Sequence, residues 1–161
     1  MPVRAATAAD VPLLLALIGE LAEYERLADH AVGTEEQLAR HLFGPNPAAD
    51  AVLAEVDGEP AGFAVLFSTF STFVCRPGIW LDDLFVRPEH RRAGIGQALL
   101  RHVAAIAVER GCGRMEWSAL DWNEPALAFY GSLGARPVEG WTTLRLEGPA
   151  LDALGGGAAA A

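Results

Sequence analysis

Apolar residues recur at helical spacing early in the chain: Leu14, Leu15, Ile18, Leu21 and Ala22 share one face of a helix that should run to about Arg26. Thr7 followed three residues on by Asp10 gives it a capping-box-like start, and Thr34 with Gln37 opens a second, shorter helix through Leu42. The stretch GPNPAAD at 44–50 breaks that helix. After a short first strand at 2–6, the pattern predicts strands at 51–56 and 61–70, joined at Asp57–Gly58, a dipeptide suited to a hairpin turn. A fourth strand covers 80–86. Helical spacing returns with Leu99, Leu100, Val103, Ile106 and Ala107 over 96–110, and Gly111 stops it. Residues 114–119 read as a fifth strand, Glu124 or Pro125 opens a helix that Gly131 and Gly134 end, and 135–138 and 141–146 read as closing strands.

The order of elements predicts an α/β (α+β) fold with a mixed sheet of about seven strands and about four helices covering both faces. Residues 1–154 are expected to form one domain, with 155–161 a low-complexity, flexible tail.

Composition narrows the picture. A 161-residue chain with 52% hydrophobic and 20% charged residues is neither disordered nor fibrous. No apolar run reaches the length of a membrane span, and the N-terminal residues lack the regions of a signal peptide, so a cytoplasmic location is expected. Cys75 and Cys112 show no metal or redox spacing, and His30, His41, His90 and His102 show no ligand spacing, so no metal is assigned. The formal charge is −9, and all 12 basic residues are Arg. Such a balance disfavours nucleic acid as a partner. It suits either ordinary solubility or the attraction of cationic small molecules.

The chemistry concentrates in 80–101, WLDDLFVRPEHRRAGIGQALLR. A strand turns at Pro88, passes through a basic loop punctuated by glycine, and opens into a helix whose free N–H groups and dipole end would face an anion. A P-loop is excluded because Gly96 is followed by Gln97, Ala98 and Leu99 rather than by Lys and Ser or Thr. A dinucleotide fingerprint fits poorly, because Leu99 stands where a third small residue is needed. RRAGIG does resemble the Arg/Gln-x-x-Gly-x-Gly/Ala signature of the GNAT N-acetyltransferases, with Arg91, Gly94 and Gly96 at its fixed positions.

Further along, MEWSALDWNEPALAFYGSLGARPVEGW is similar to the second half of that fold, and its WNEPALAFYGSLGA to the spermidine/spermine and thialysine N-acetyltransferase branch. Before the loop, LAEYERL, TEEQL, LFG and AVLAEV follow the branch's order. The resemblance implies a sheet splayed between its fourth and fifth strands, with acetyl-CoA as cosubstrate in the gap. Leu84, Phe85 and Val86 would offer backbone groups to the pantetheine arm. Arg91, Arg92, Ala93, Gly94, Ile95, Gly96 and Gln97 would hold the pyrophosphate, with Asn123, Glu124 and Pro125 as contacts further along. Asn123 equally suits a helix cap.

Acetyl transfer to an alkyl amine poses two proton problems. The amine, with a pKa of about 10, must lose a proton before attack, and the leaving thiolate is better released to an acid. By resemblance Tyr130 is the acid, reaching the thioester sulfur, and Asp82 draws the amine proton through water, with Asp83 helping to bind the amine. Adjacent positions on a strand send Asp82 and Asp83 to opposite faces unless a bulge re-aims them. Tyr24 and Glu25 match a pair that reaches the polyamine in the branch, and Glu116, Trp117 and Ser118 match the opposite wall. A carboxylate beside aromatic rings suits an alkylammonium. Two departures stand out: Asp82 is one methylene shorter than the branch's Glu, and Thr72 falls where polyamine acetylases carry an acid.

The resemblance implies transfer of acetyl to a primary amine of a small cationic acceptor (a diamine, a polyamine or a lysine-like amino acid) by direct attack in a ternary complex. The alternatives are acetylation of a protein or peptide amine and a non-catalytic acyl-CoA sensor. Relatives are commonly homodimers, so a homodimer is expected, with residues 138–146 near the contact and neither nucleic acid nor membrane as a partner.

Overall fold

The fold starts from two helices whose ends are written locally. A computed structural model of the chain describes residues 2–156. Thr7 and Asp10 close a capping box over a short helical turn, Ala8–Asp10, that leads into α1, Val11–Tyr24. The Thr7 amide and hydroxyl both donate to Asp10 Oδ2, at 2.7 and 2.8 Å. At α2, Glu35–Phe43, the Gln37 amide donates to Thr34 Oγ1 and the Thr34 amide to Gln37 Oε1, so two otherwise orphaned N–H groups are satisfied reciprocally.

The chain forms two compact units, one up to Ser118 and one from Ala119 onward. The first holds a five-stranded sheet in the order β1-β2-β3-β4-β5, made of β1 (Val3–Ala5), β2 (Asp50–Val56), β3 (Glu59–Ser71), β4 (Arg76–Val86) and β5 (Met115–Glu116). The first four strands are antiparallel, and β5 joins β4 in parallel. Leu14, Leu17 and Leu21 of α1 and Leu42 of α2 pack with Leu53, Phe63, Val65 and Phe85 on one face. On the other side α3, Ile95–Glu109, lies against β1 to β4 and buries Ile95, Leu99, Leu100, Val103 and Ala107. Helices therefore cover both faces of a mixed sheet, as the pattern predicted.

The second unit carries α4, Glu124–Ser132, and α5, Gly148–Gly156. Here the expectations need correction. Residues 135–138 and 141–146 form no strand, so the sheet of the described residues has five strands rather than seven. Their alternation is real, but Trp141 and Leu144 stand 78% and 89% exposed, and a strand preference is not realised without a neighbouring strand to pair with. α5 replaces the start of the expected tail. Pro149 is tolerated in a first turn, and Ala150, Leu151, Ala153 and Leu154 are good helix formers that carry the helix through Gly155 and Gly156. Residues 157–161 of that tail lie outside the described residues. Strand five shrinks from 114–119 to two residues, and β4 begins at Arg76 rather than at 80.

Candidate active site

The site is shaped by an irregularity in β4. Along the β3–β4 ladder Val65 pairs with Asp83 and Leu66 with Leu81, so Asp82 is an extra residue with no partner. Alternation runs out on both sides of it. Asp83 shares the face of Val65 and Phe85, which is the α1 face, whereas Leu81 and Ile79 share the α3 face with Leu66. Counting from Trp80, which pairs with Phe67 on the α1 face, position 82 falls on that face as well. The bulge therefore brings both carboxylates to one side of the sheet, which a regular strand forbids.

Asp83 is half-buried while Asp82 is exposed. Burial pushes the Asp83 carboxyl up to about 6, and the charges of Asp82 and Glu25 add to the rise. Glu25 caps the C-terminal end of α1, and burial raises its carboxyl as well. Among the described residues, no three His, Cys, Asp or Glu side chains gather as a metal site.

Tyr24, the neighbour of Glu25, meets Arg91: the guanidinium carbon stands 4.4 Å from the Tyr24 ring centroid and 5.9 Å from that of Phe85. Arg91 Nε donates to the Val86 carbonyl at 3.0 Å. One residue of the basic loop is thus laid along the end of β4 and against α1, a cation over an aromatic face. Sequence reading missed a second clamp. Arg87 donates to both carboxylate oxygens of Glu20 on α1, the shortest contact being 2.6 Å, and to the Pro60 carbonyl on β3 at 3.0 Å. Its partners are 67 and 27 residues away, so no local signal announces it. The Phe67 and Trp80 rings, stacked with centroids 6.4 Å apart, are a third feature of that face absent from the sequence reading.

The loop from Arg87 reaches α3 through two left-handed residues, Arg92 at φ 64 and Gly94 at φ 81. Glycine adopts the second without strain, whereas Arg92 holds the first at a cost of about 1–2 kcal/mol. The first helical bond of α3 runs from the Ala98 amide to the Gly94 carbonyl, and no side chain caps the amides of Ile95, Gly96 and Gln97 before it. With no acidic residue in that first turn, the helix end fits an anion.

β5 pairs with β4 only at Ile79 with Met115 and Trp80 with Glu116. Among the described residues no strand pairs on that side with residues 81–86 of β4, which include Leu84, Phe85 and Val86. Arg114 Nε donates to Glu116 Oε2 at 2.7 Å, while Trp117 and Ser118 lie just beyond the strand.

In the second unit Asn123 caps α4, its Oδ1 accepting from the Ala126 amide at 3.4 Å, and Glu124 and Pro125 make the exposed first turn. Tyr130 is half-buried near the end of that helix, its ring 5.4 Å from that of Phe129. A cavity of about 410 Å³ beside α1 and α2, lined by Leu15, Ile18, Leu38 and His41 among others, contains none of the residues expected to bind cosubstrate or acceptor or to move protons.

The sequence profile of the Acetyltransferase (GNAT) family matches residues 18–135. A thialysine N-epsilon-acetyltransferase of Sus scrofa is 38% identical, over 96% of this chain and 96% of its own length. An L-ornithine N5-acetyltransferase of Arabidopsis thaliana is 32% identical, over 94% of this chain and 86% of its own. Among solved structures, an integron cassette protein from the mobile metagenome of V. cholerae superposes with a TM-score of 0.80 at 28% identity, covering 96% of each chain. A profile that spans most of the sequence, together with relatives aligned over nearly all of it, makes this protein a member of the GNAT acetyltransferase family.

Proposed function

We propose that this acetyltransferase moves the acetyl group of acetyl-CoA to a primary amine of a small cationic acceptor, in the class of lysine-like amino acids, diamines and polyamines. The observation that carries the reading is β4 itself. One margin is open, an anion-ready helix end follows it, and a bulge sends two carboxylates to one face. The relatives named for thialysine and ornithine favour the amino-acid end of that class.

In this reading the amides of Ile95, Gly96 and Gln97, with Arg91 and Arg92, hold the pyrophosphate of the cosubstrate, and the main chain of Leu84, Phe85 and Val86 receives its pantetheine arm. An N–H on that stretch polarises the thioester carbonyl, where negative charge develops. Tyr24 and Glu25, with Glu116, Trp117 and Ser118, receive the acceptor, and Asn123, Glu124 and Pro125 touch the cosubstrate. The amine nitrogen forms a bond to the carbonyl carbon as the C–S bond breaks. The amine proton passes to the Asp82–Asp83 pair, and the phenol of Tyr130 gives its proton to the departing sulfur. The same reading makes the protein a cytoplasmic homodimer.

Thiol release from acetyl-CoA tests this, with spermidine, putrescine, lysine, thialysine and a basic peptide as acceptors against a blank without amine. Saturable release with one small amine is the expected result. Release with the peptide alone would replace the acceptor class by a protein. Silence across the panel, with acetyl-CoA still bound, would leave an acyl-CoA sensor.

A further inference from the structure

We propose that Asp83, rather than Asp82, receives the proton that the acceptor amine gives up, and that Glu25 is a positioning residue that sets the field in which it does so. The proposal rests on the amine acetyltransferase reading and divides the work within its carboxylate pair.

Geometry separates the two aspartates. Asp83 is held in the ladder opposite Val65, half-buried between strand and helix on the face that α1 covers. Asp82 is the unpaired residue of the bulge and is exposed. A fixed carboxylate out of bulk water can take up a proton at a set position and remain protonated long enough to matter. An exposed carboxylate on the unpaired residue of a bulge has no such fixed position.

The charged surroundings of Asp83 point the same way. Asp82 lies beside it on β4, and the charge of Glu25, at the C-terminal end of α1, acts on it as well. Next to Asp83 on that face, β3 presents Phe63, Val65 and Phe67, none of them titratable. Arg91 is engaged with Tyr24 and Val86, Arg87 with Glu20, and Arg114 with Glu116 on the neighbouring strand. Burial first, and then the two like charges, with no cation among the causes, raise the carboxyl to about 6. At neutral pH it is then ionised and ready, yet far more basic than an ordinary aspartate.

In the step, the neutral amine nitrogen gains its bond to the carbonyl carbon as the C–S bond breaks, and one N–H proton passes, directly or through one water, to an Asp83 oxygen. The departing sulfur takes its proton from the phenol of Tyr130, which solvent restores. The proton on Asp83 leaves to solvent after the acetamide departs, so the carboxylate is regenerated with no co-reactant.

The test is the pH profile of kcat/KM for the best amine of the panel, in the wild type and in D83N, D82N, E25Q and D83E. Folding is checked by thermal melting and by acetyl-CoA affinity. The wild-type profile should rise through about pH 6. D83N should lose that limb and on the order of a hundredfold or more in kcat, and D83E should recover part of it. D82N and E25Q each remove one negative neighbour, so both should keep the limb and move it to lower pH. A D83N enzyme that keeps the limb, or a D82N enzyme that loses it, overturns the assignment. An E25Q limb that does not move overturns the part given to Glu25, and if D83N fails to fold, the D82N profile decides between the two aspartates: a limb kept supports Asp83 and a limb lost overturns it. A wild type inactive on every amine overturns the underlying reading as well, whereas an active wild type whose limb survives D83N overturns this proposal alone.

Discussion

Replacing glycine by alanine should have opposite signs at two positions of the first unit. Gly62 on β3 pairs with Val86. A methyl group there would press on the Phe85 carbonyl oxygen, with Val86 Cα at 3.2 Å and the Phe85 carbonyl carbon at 3.4 Å. All three are backbone atoms of a paired strand and cannot swing aside, so β4 must move where it is proposed to meet the cosubstrate. Overpacking of this kind costs about 1–3 kcal/mol. For a chain of this length that lowers the melting temperature by about 2–12 °C. Gly19 sits inside α1 with nothing within 4 Å of a built Cβ. Alanine there gains about 0.5–1 kcal/mol of helix propensity, or about 1–4 °C. Calorimetric melting of G62A and G19A beside the wild type reads both effects, and an acetyl-CoA titration should show weaker binding in G62A alone. A G62A protein that melts at or above the wild type would refute the packing argument, and a destabilised G19A would refute the claim of open space.

Three further outcomes are expected. Tyr130→Phe should lower kcat strongly while acetyl-CoA affinity stays near its original value in a calorimetric titration, and an unchanged rate would remove Tyr130 from the mechanism. Gly94→Ala places a Cβ at φ 81, which costs about 1–2 kcal/mol, so the KM for acetyl-CoA should rise and the protein should melt earlier. Hydrogen bonds from the two terminal guanidinium nitrogens of Arg4, both at 2.8 Å, hold the Asp10 carboxyl well below the usual carboxylate range, with help from Thr7. A depressed acid adds stability that is complete above the unfolded value of about 4 and lost as pH falls through the native one. Asp10→Asn should therefore cost about 1–2 kcal/mol in urea unfolding near neutral pH, and the gap to the wild type should close in acid.

The parts of the fold that were legible in sequence are those that local chemistry decides. The helices α1, α2 and α3 carry their apolar stripes, and the first two their capping boxes, within a few residues, and the turn at Asp57–Gly58 is written in two letters. The loop at Arg91 to Gly96 could be read because its glycines mark the turn that opens into α3. What escaped depends on pairing. The bulge at Asp82 exists only because Leu66 and Val65 on another strand bind Leu81 and Asp83. The Arg87 clamp joins α1, β3 and β4. The alternation at 135–146 expressed a strand preference that no strand partner in the sheet fulfils, and α5 was obscured by its paired glycines. The aspartate pair illustrates the boundary well. Two adjacent carboxylates could be read from the letters, but which face each side chain takes was a property of the ladder.

The bulge has a consequence for how this strand tolerates insertion and deletion. Removing Asp82 would set Leu81 directly before Asp83, and every other side chain of β4 would stay on the face it now occupies. Neither hydrophobic layer needs residue 82, and a shortened strand would zip to β3 without interruption. Most strand residues are kept in phase by the core they serve, so that losing one flips its neighbours to the wrong side. Position 82 is free of that constraint: it is a supernumerary link, and what depends on it is the course of the open margin beyond it.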